Sequence, residues 1–496
     1  MRVLHTSDWH IGRRFKGLDL GEYQARALDW LIGLIERERV DVLCVSGDIY
    51  DLPRPSASSV QLFAPVFERL AGLKVNGHPL EVIMTPGNHD SADRLGFGAG
   101  AMVPNVHMRC RLEDIAAPVM VERDGDALAV YTVPYLDPDA SRPILAGMVS
   151  AEFGAGKADG CDDDSDACPE GLPGLLWRDG AVVVPRSHEG VMTAAMTLIT
   201  RDLAERRTRY PDLHAILMAH AFVSGATPSD SERVITVGGV DSVPAGVFTD
   251  CGFDYLALGH LHRPQHVTIP QPDGKHMNVF HFGRTPQARY SGSLLSYSFS
   301  EAPRLPQVGN GKQVTIVDFG GEEGKHEAGQ GTPTIETRAV QSEQPAMVSI
   351  AGTLDEVLAQ ADLHQKDWVS VTVQYDEYPQ HLYERIDGKY PFALEKRAVC
   401  TRVRNTERAM ADLTAVRDEM DVLNGFMEYT IGRTPDERET AILRQVVEQV
   451  RAERAEHTGA AQQYGADSDD GCDRGEVGRN TTGDLTLFDD DAAGKE

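Results

Sequence analysis

Cysteine is scarce, seven in 496 residues. The number is odd and the spacing forms no framework, which argues against a disulfide-stapled fold and for a reducing compartment. No uninterrupted apolar stretch reaches about 18 residues, so a membrane span is not expected. The N-terminal Met1-Arg2-Val3-Leu4-His5-Thr6-Ser7-Asp8 meets an acid before an apolar run of signal-peptide length can form, and the cytoplasm is the expected location. Positive charge is also short: 48 Lys and Arg stand against 76 Asp and Glu, for a formal net charge of −28. That balance disfavours a broad electrostatic grip on nucleic acid. The excess is uneven. Residues 459–496 hold ten acids and three bases, and residues 157–170 hold six acids and one base, which leaves the body at −16. Any nucleic-acid contact must therefore come from a local patch, a metal site or a partner. What is present is ordinary globular material, 41% hydrophobic and 25% charged, enough for about three domains by length.

The first 150 residues alternate β-rich runs with amphipathic segments, the pattern of βαβ units. Val3-Leu4 opens a strand, and a helix is expected over about Glu22–Arg37 with Leu28, Leu31, Ile32 and Ile35 on one face. Val40–Ser46 reads as a strand covered on both faces. Leu80–Met84, Ala127–Val133, Ala215–Ala219 and Tyr255–Leu258 read as further strands. Residues 154–174, with Asp162-Asp163-Asp164, Cys161 and Cys168, read as an acidic inserted loop, because two thiols without partner ligands are a weak metal site. Pro264–Gln287 reads as a hairpin excursion and Pro303–Lys312 as a linker. Val314–Val317 and Trp368–Val373 are expected to belong to a second, smaller domain. Thr434-Pro435-Asp436-Glu437 predicts a helix N-terminus, with Thr434 as the cap and Leu443, Val446, Val447 and Val450 at helical spacing, the helix running to about Glu453. The composition after His457 predicts a disordered acidic tail. The expected boundaries are 1–302, 313–456 and 457–496.

Polar residues cluster just after strand ends, where open α/β sheets place their sites. Asp8-x-His10 follows the first strand, Gly47-Asp48 the second and Gly87-Asn88-His89-Asp90 the third. His220 follows the strand at Ala215, and Gly259-His260-x-His262 the strand at Tyr255. Any one of these histidines alone is more often structural, but four motifs in order behind strands are hard to obtain by chance. Asp8, His10, Asp48, Asn88, His220, His260 and His262 offer carboxylate, amide and imidazole donors without thiolate, a set suited to two ions such as Mn²⁺, Fe²⁺ or Zn²⁺. A carboxylate such as Asp48 can bridge two ions, and His89 is placed to serve the leaving oxygen of a phosphate ester.

These motifs resemble the signature of the calcineurin-like metallophosphoesterases, Asp-x-His, Gly-Asp-x-x-Asp, Gly-Asn-His-Asp/Glu, His and Gly-His-x-His. They stand here as Asp8-x-His10, Gly47–Asp51, Gly87–Asp90, His220 and Gly259–His262. The resemblance implies an α/β fold, a four-layered α/β/β/α core with a smaller α+β capping domain. It also implies one ion held by Asp8, His10, Asp48 and His262 and another by Asp48, Asn88, His220 and His260. Leu4–Gly12, Val133–Leu136, Tyr290–Ser293 and Ser298–Glu301 are similar to the SbcD-type nucleases of double-strand-break repair. Some relatives carry a histidine shortly after Gly-Asp, whereas this chain has Asp51, so no catalytic role is assigned there.

That closer resemblance implies a Mn²⁺-dependent hydrolase of DNA phosphodiesters with 3′–5′ double-strand exonuclease and single-strand or hairpin endonuclease activity. It would work with an SbcC-type SMC-like ATPase in repair, replication and recombination, as a homodimer within a heterotetramer acting at the nucleoid. Arg13, Arg14, Lys16, Arg54 and Arg94 are candidate phosphate contacts beside the metal motifs. Asp484-Leu485-Thr486-Leu487-Phe488 is similar to peptides that dock on the bacterial sliding clamp, with Asp484 in place of the usual Gln. The motif set alone also permits a small phosphodiester or a phosphoprotein as substrate.

Overall fold

The computed structural model describes residues 1–153, 175–178, 181–232, 242–272, 280, 282–303, 308–320, 332–401, 419–431, 434–436 and 438–450. The acidic insertion at 154–174, the tail at 457–496 and the segment Asp484–Phe488 lie outside the described residues, as do parts of the 264–287 excursion. The chain divides into two compact units, Met1–Thr401 and Arg402–Glu496.

The first unit opens with β1 (Arg2–Thr6), α1 (Gly21–Glu38), β2 (Val42–Ser46), α2 (Ala57–Gly72), β3 (Glu81–Thr85) and β4 (Val106–Met108). It continues through β5 (Val119–Arg123), β6 (Asp126–Val133), α3 (Pro138–Phe153), α4 (His188–Arg209), β7 (His214–His220), β8 (Tyr255–Gly259), β9 (Gln265–Val267) and β10 (Gln287–Tyr290). Strands β11 (Gln313–Asp318) and β12 (Thr334–Ala339) follow.

Sheet one has the order β12-β11-β1-β2-β3-β4, and sheet two the order β9-β10-β8-β7-β6-β5. Pairing is parallel from β1 to β4 and along β6, β7, β8 and β10, with antiparallel strands at the edges. Parallel pairing sends the C-terminal ends of the central strands of each sheet to one edge.

The expected amphipathic helix is α1, and its buried face is Gln24, Ala27, Leu28, Leu31, Ile32, Leu34 and Ile35. It stops at Arg39, which takes a left-handed φ of 53° while the Val40 N–H returns to the Ile35 carbonyl. That bond draws Val40 out of the following strand, so β2 begins at Val42, two residues later than the apolar run suggests. All five residues of β2 are buried. On one side of β2, Val42 and Cys44 meet Val130, Ile216, Met218 and Ala257 of sheet two in an inter-sheet core. On the other, Leu43 and Val45 join the apolar faces of α1 and α2. The outer face of sheet two is covered by Leu145 and Val149 of α3 and by Val191, Ala195, Ile199 and Leu203 of α4. The layers therefore run helix, sheet, sheet, helix, and each fully buried aliphatic side chain contributes roughly 1.5–3 kcal/mol.

One strand lies elsewhere than its local pattern suggested. Val314–Val317, expected in a smaller domain, falls in β11 and pairs antiparallel with β1, so it completes sheet one. The excursion expected at Pro264–Gln287 is a hairpin at its base, where Gln265–Val267 pairs with Ala288–Tyr290. The three parallel strands β13 (Met347–Gly352), β14 (Trp368–Tyr375) and β15 (Ala393–Cys400) form a separate small sheet. Its core is Ile350, Val357, Val369, Val371, Val373, Leu382 and Ile386. Trp368 stacks on Phe15 at 5.7 Å, and Lys16 pairs with Glu395 at 3.3 Å, which fastens the small sheet to the loop after β1.

In the second unit the described residues include α5 (Glu419–Ile431) and a helix at 438–450. The cap of the latter is Asp436 and not Thr434: Asp436 Oδ1 accepts from the Glu439 N–H at 2.9 Å while Glu439 Oε2 accepts from the Asp436 N–H at 2.9 Å. The capping box thus sits two residues later than expected, because Asp436 finds its partner carboxylate three positions on. Among the described residues no helix is long and apolar enough to cross a membrane.

Candidate metal centre

The loops that leave β1 and β2 stay hydrogen-bonded past the strand ends, with the Asp8 N–H to the Gly47 carbonyl at 3.0 Å and the His10 N–H to the Asp48 carbonyl at 2.9 Å. To turn there, Asp8, His10 and Asp48 take φ values of 54°, 44° and 52°. Non-glycine residues seldom adopt this region, and such strain clusters at functional sites. His260 is more extreme, at 108°. A Cβ on Gly259 would lie 1.8 Å from the Ser46 carbonyl oxygen and 2.9 Å from His220 Nδ1, so close approach of the two sheets requires glycine there.

All seven side chains singled out from the sequence meet at this edge. His10 Nε2 lies 2.9 Å from His262 Nε2. Asp48 Oδ2 lies 3.5 Å from His10 Nε2 and 3.4 Å from His220 Nε2. Asn88 Oδ1 lies 2.9 Å from His220 Nε2 and 3.1 Å from His260 Nδ1. Asp8 accepts from the His260 N–H at 3.0 Å. Among the described residues three groups could each hold an ion, namely Asp8 with His10 and His262, His10 with Asp48 and His89, and Asp8 with Asp48 and His220, with ligand atoms no more than 4.8 Å apart.

The separations suit coordination. Two donors each about 2.1 Å from one ion and at right angles around it stand about 3 Å apart, close to the distances above. Asp48 Oδ2 is near imidazoles of both halves, the position a bridging oxygen needs. His220 Nδ1 sits 2.9 Å from the Ser46 carbonyl, which only accepts, so a ring proton is on Nδ1 and Nε2 is the nitrogen turned toward Asn88 and Asp48.

The electrostatics are those of buried charges held against one another. Burial would lower His220, but Asp48, aided by Asp8 and the Ser46 carbonyl, outweighs it and raises the imidazole to about 9. Burial would raise Asp48, yet His220, His10 and His89 take it well below the usual carboxylate range. Burial raises Asp8, with Asp48 adding to the effect. For His10 burial dominates and holds the ring at about 3 despite Asp51 and Asp48. Two carboxylates this close and this buried are a natural seat for cations.

His89 stands at the rim. Its N–H donates to Asp48 Oδ1 at 2.8 Å and its Nδ1 lies 2.8 Å from the Asp51 carbonyl. Asp90 points elsewhere and accepts from the N–H groups of Ile49, Tyr50 and Gly87 at 3.0, 2.9 and 3.0 Å, stitching the β2 and β3 loops together. Of the basic residues proposed to hold phosphate, Arg13 is turned inward, donating to the Ser231 carbonyl at 2.7 Å over the Tyr297 ring. Arg14 donates to the Gly17 carbonyl at 2.7 Å. Arg94 lines an apolar cavity of about 320 Å³ beside Tyr50, Phe63 and Asp90.

Sequence reasoning gave no role at the site to Asp51, Ser231, Glu301 or Lys312. Asp51 Oδ1 lies 3.5 Å from His10 Nδ1 and 3.6 Å from Arg13. Ser231 Oγ is 2.6 Å from His262 Nδ1. Glu301 ends the Ser298–Glu301 stretch already noticed, but Ser231 and Lys312 lie in polar segments without a local signal.

Residues 1–135 match the family model described as calcineurin-like phosphoesterase. The N-terminal part of the chain is therefore similar to the calcineurin-like phosphoesterases, and its clustered Asp and His side chains could hold metal ions. The match spans Asp8, His10, Asp48, Asn88 and His89, while His220, His260 and His262 fall beyond it.

Among solved structures, TT1561 of Thermus thermophilus is 10% identical, with 68% of this chain and 99% of that one covered and a TM-score of 0.31. GAP50, the anchor in the inner membrane complex of Plasmodium, is 12% identical over 69% of this chain and 85% of its own, at 0.34. The NAD nucleotidase of Haemophilus influenzae is 11% identical over 78% and 59%, at 0.32.

Proposed function

We propose that this chain is a dimetal DNA phosphodiesterase, the nuclease subunit of an SbcCD-type complex, with Mn²⁺ as its working ion. The observation that carries the dimetal reading is the convergence of Asp48 Oδ2 on His10 and His220, at 3.5 and 3.4 Å, from two different sheets. In this reading Asp8, His10, Asp48 and His262 hold one ion, and Asp48, Asn88, His220 and His260 the other. When bound, such a pair supplies a deprotonated water at neutral pH and offsets the charge of the phosphoryl group.

The remaining work falls to the chain. Asp48 fixes the spacing of the two halves, and the His89 N–H on its Oδ1 keeps Oδ2 turned to the imidazoles. The Asp51 carbonyl accepts a hydrogen bond from the Nδ1–H of His89, so in the protonated ring the Nε2 proton is the one that can pass to the leaving oxygen, leaving the neutral Nδ1–H imidazole.

DNA as substrate rests on the likeness of Leu4–Gly12, Tyr290–Ser293 and Ser298–Glu301 to the repair nucleases. The small β13–β15 sheet, fastened beside the β1 loop, is suited to cap the site and select substrate. An SbcC-type ATPase would supply the DNA grip that a net charge of −28 withholds. Exposed Val422 and Phe426 on α5, and Ile442, Val446 and Val450 in helical register on 438–450, suit a docking surface for such a partner. A homodimer is proposed from the exposed apolar side chains Leu52 and Val60, which line the Arg94 cavity, together with exposed Phe97 and Val103. The acidic balance favours a second reading, hydrolysis of a small phosphodiester, and the clamp contact through Asp484–Phe488 stays a proposal from sequence. Cleavage of a hairpin duplex with Mn²⁺, with and without the ATPase and ATP, separates the two readings. Turnover of bis(p-nitrophenyl) phosphate without any DNA cleavage would remove the nuclease reading.

A further inference from the structure

His262 is held unlike its partner imidazole. The ring of His220 is steered by a backbone carbonyl, whereas His262 Nδ1 meets a side chain, Ser231 Oγ, at 2.6 Å. That hydroxyl lies 2.5 Å from Glu301 Oε1, and a carboxylate only accepts, so the Ser231 proton goes to Glu301. The Ser231 oxygen is then an acceptor toward His262, whose ring proton must sit on Nδ1. Nε2 keeps its lone pair, and it is Nε2 that stands 2.9 Å from His10 Nε2.

Glu301 is in turn paired with Lys312, whose ammonium also donates to the His262 carbonyl at 2.7 Å and to Ser293 Oγ at 2.9 Å. Glu232 Oε1 accepts from the His262 N–H at 2.8 Å. Ser231, His262, Glu301 and Lys312 are all buried. A buried ion pair is a weak source of stability and is tolerated only when its remaining polar atoms are satisfied. Here Glu301 Oε1 accepts from the Ser231 hydroxyl and from the Tyr297 N–H at 3.1 Å, and Lys312 donates to Ser293 and the His262 carbonyl, so His262 is held at its ring by Ser231, at its N–H by Glu232 and at its carbonyl by Lys312.

We propose that Ser231, Glu301 and Lys312 form a positioning relay that fixes His262 as the Nδ1–H tautomer and aims its Nε2 at a divalent ion. The inference rests on the dimetal reading above and deepens it. The relay sets the affinity of the ion shared by Asp8, His10 and His262 and leaves the ion at Asn88, His220 and His260 untouched.

Titration of Mn²⁺ into the ion-free full chain, with the melting temperature measured in parallel, tests it. Ser231→Ala removes the acceptor from His262 Nδ1 while the Glu301–Lys312 pair survives, and Ser231→Thr restores a hydroxyl. The expected result is two ions in the wild type, one of them weakened about 10- to 100-fold in Ser231→Ala, recovery within a few-fold in Ser231→Thr, and little change in melting temperature. Equal affinities in wild type and Ser231→Ala would overturn the relay, as would a parallel loss at both sites with a lowered melting temperature. Wild-type protein binding fewer than two ions would overturn the dimetal reading itself and the relay with it.

Discussion

Sheet one supplies Asp8, His10, Asp48 and Asn88 from turns, three of which bend a non-glycine backbone to φ values of 54°, 44° and 52°. Sheet two supplies imidazoles only. His220 ends a regular strand, and the rings of His220 and His262 are steered by hydrogen bonds to Ser46 and Ser231. In the first half the bent loop backbones are tied to one another past the strand ends, Asp8 to Gly47 and His10 to Asp48. The second half is set through the imidazole rings, by Ser46 for His220 and Ser231 for His262, although the backbone at His260 is bent further, to a φ of 108°. The match to the calcineurin-like model, which covers residues 1–135, stops between the two halves.

The sharpest way to break the contrast is Asp48→Ala, since its Oδ2 serves both halves. Loss of phosphodiesterase activity to background is expected, together with loss of both ions by metal analysis. Retention of one tightly bound ion would show that the halves are independent.

His89→Gln should come next. It should lower kcat by about 10²–10⁴-fold while both ions stay bound, with a larger loss on an alkyl leaving group than on p-nitrophenolate. Equal losses on the two substrates would remove His89 as proton donor.

Gly259→Ala probes the seam. Its Cβ would collide with the Ser46 carbonyl oxygen at 1.8 Å, so a destabilisation of about 3 kcal/mol is expected in chemical denaturation, with weakened ion binding at His220 and His260 and less effect at His10.

The smallest effect concerns the opposite end of sheet two, at the start of β8. Burial would raise Asp254, but His214, the Ala215 N–H at 2.8 Å and Arg284 at 2.9 Å outweigh it and lower its pKa. A depressed carboxylate stabilises the fold above its ordinary value of 3.8, and that contribution is lost as pH falls through the folded-state value. Asp254→Asn should therefore cost about 1–2 kcal/mol near neutrality, and its denaturation curve should converge on the wild type below pH 4. Metal binding should not change.

The same contrast explains what was legible in the sequence. Asp8-x-His10, Gly47-Asp48 and Gly87-Asn88-His89 could be read because each stands directly behind an apolar run that becomes β1, β2 or β3. His220 and His260-x-His262 followed the same rule. The pairing of β11 with β1 could not be read, since an alternating run carries no mark of a partner more than 300 residues away. Ser231 and Lys312 were invisible for a related reason: polar residues in loops ordinarily face water, and only the fold buries them against His262. The misplaced cap at Thr434 was a local ambiguity, because Thr434 and Asp436 are both cap-competent and each has an acid three positions on, Glu437 and Glu439.

The central claim, that side chains from two sheets gather a pair of ions around Asp48, is tested most directly by anomalous diffraction from crystals soaked in Mn²⁺. Two peaks flanking Asp48 are predicted, one among Asp8, His10 and His262 and one among Asn88, His220 and His260. A single peak, or ions remote from Asp48, would contradict the account.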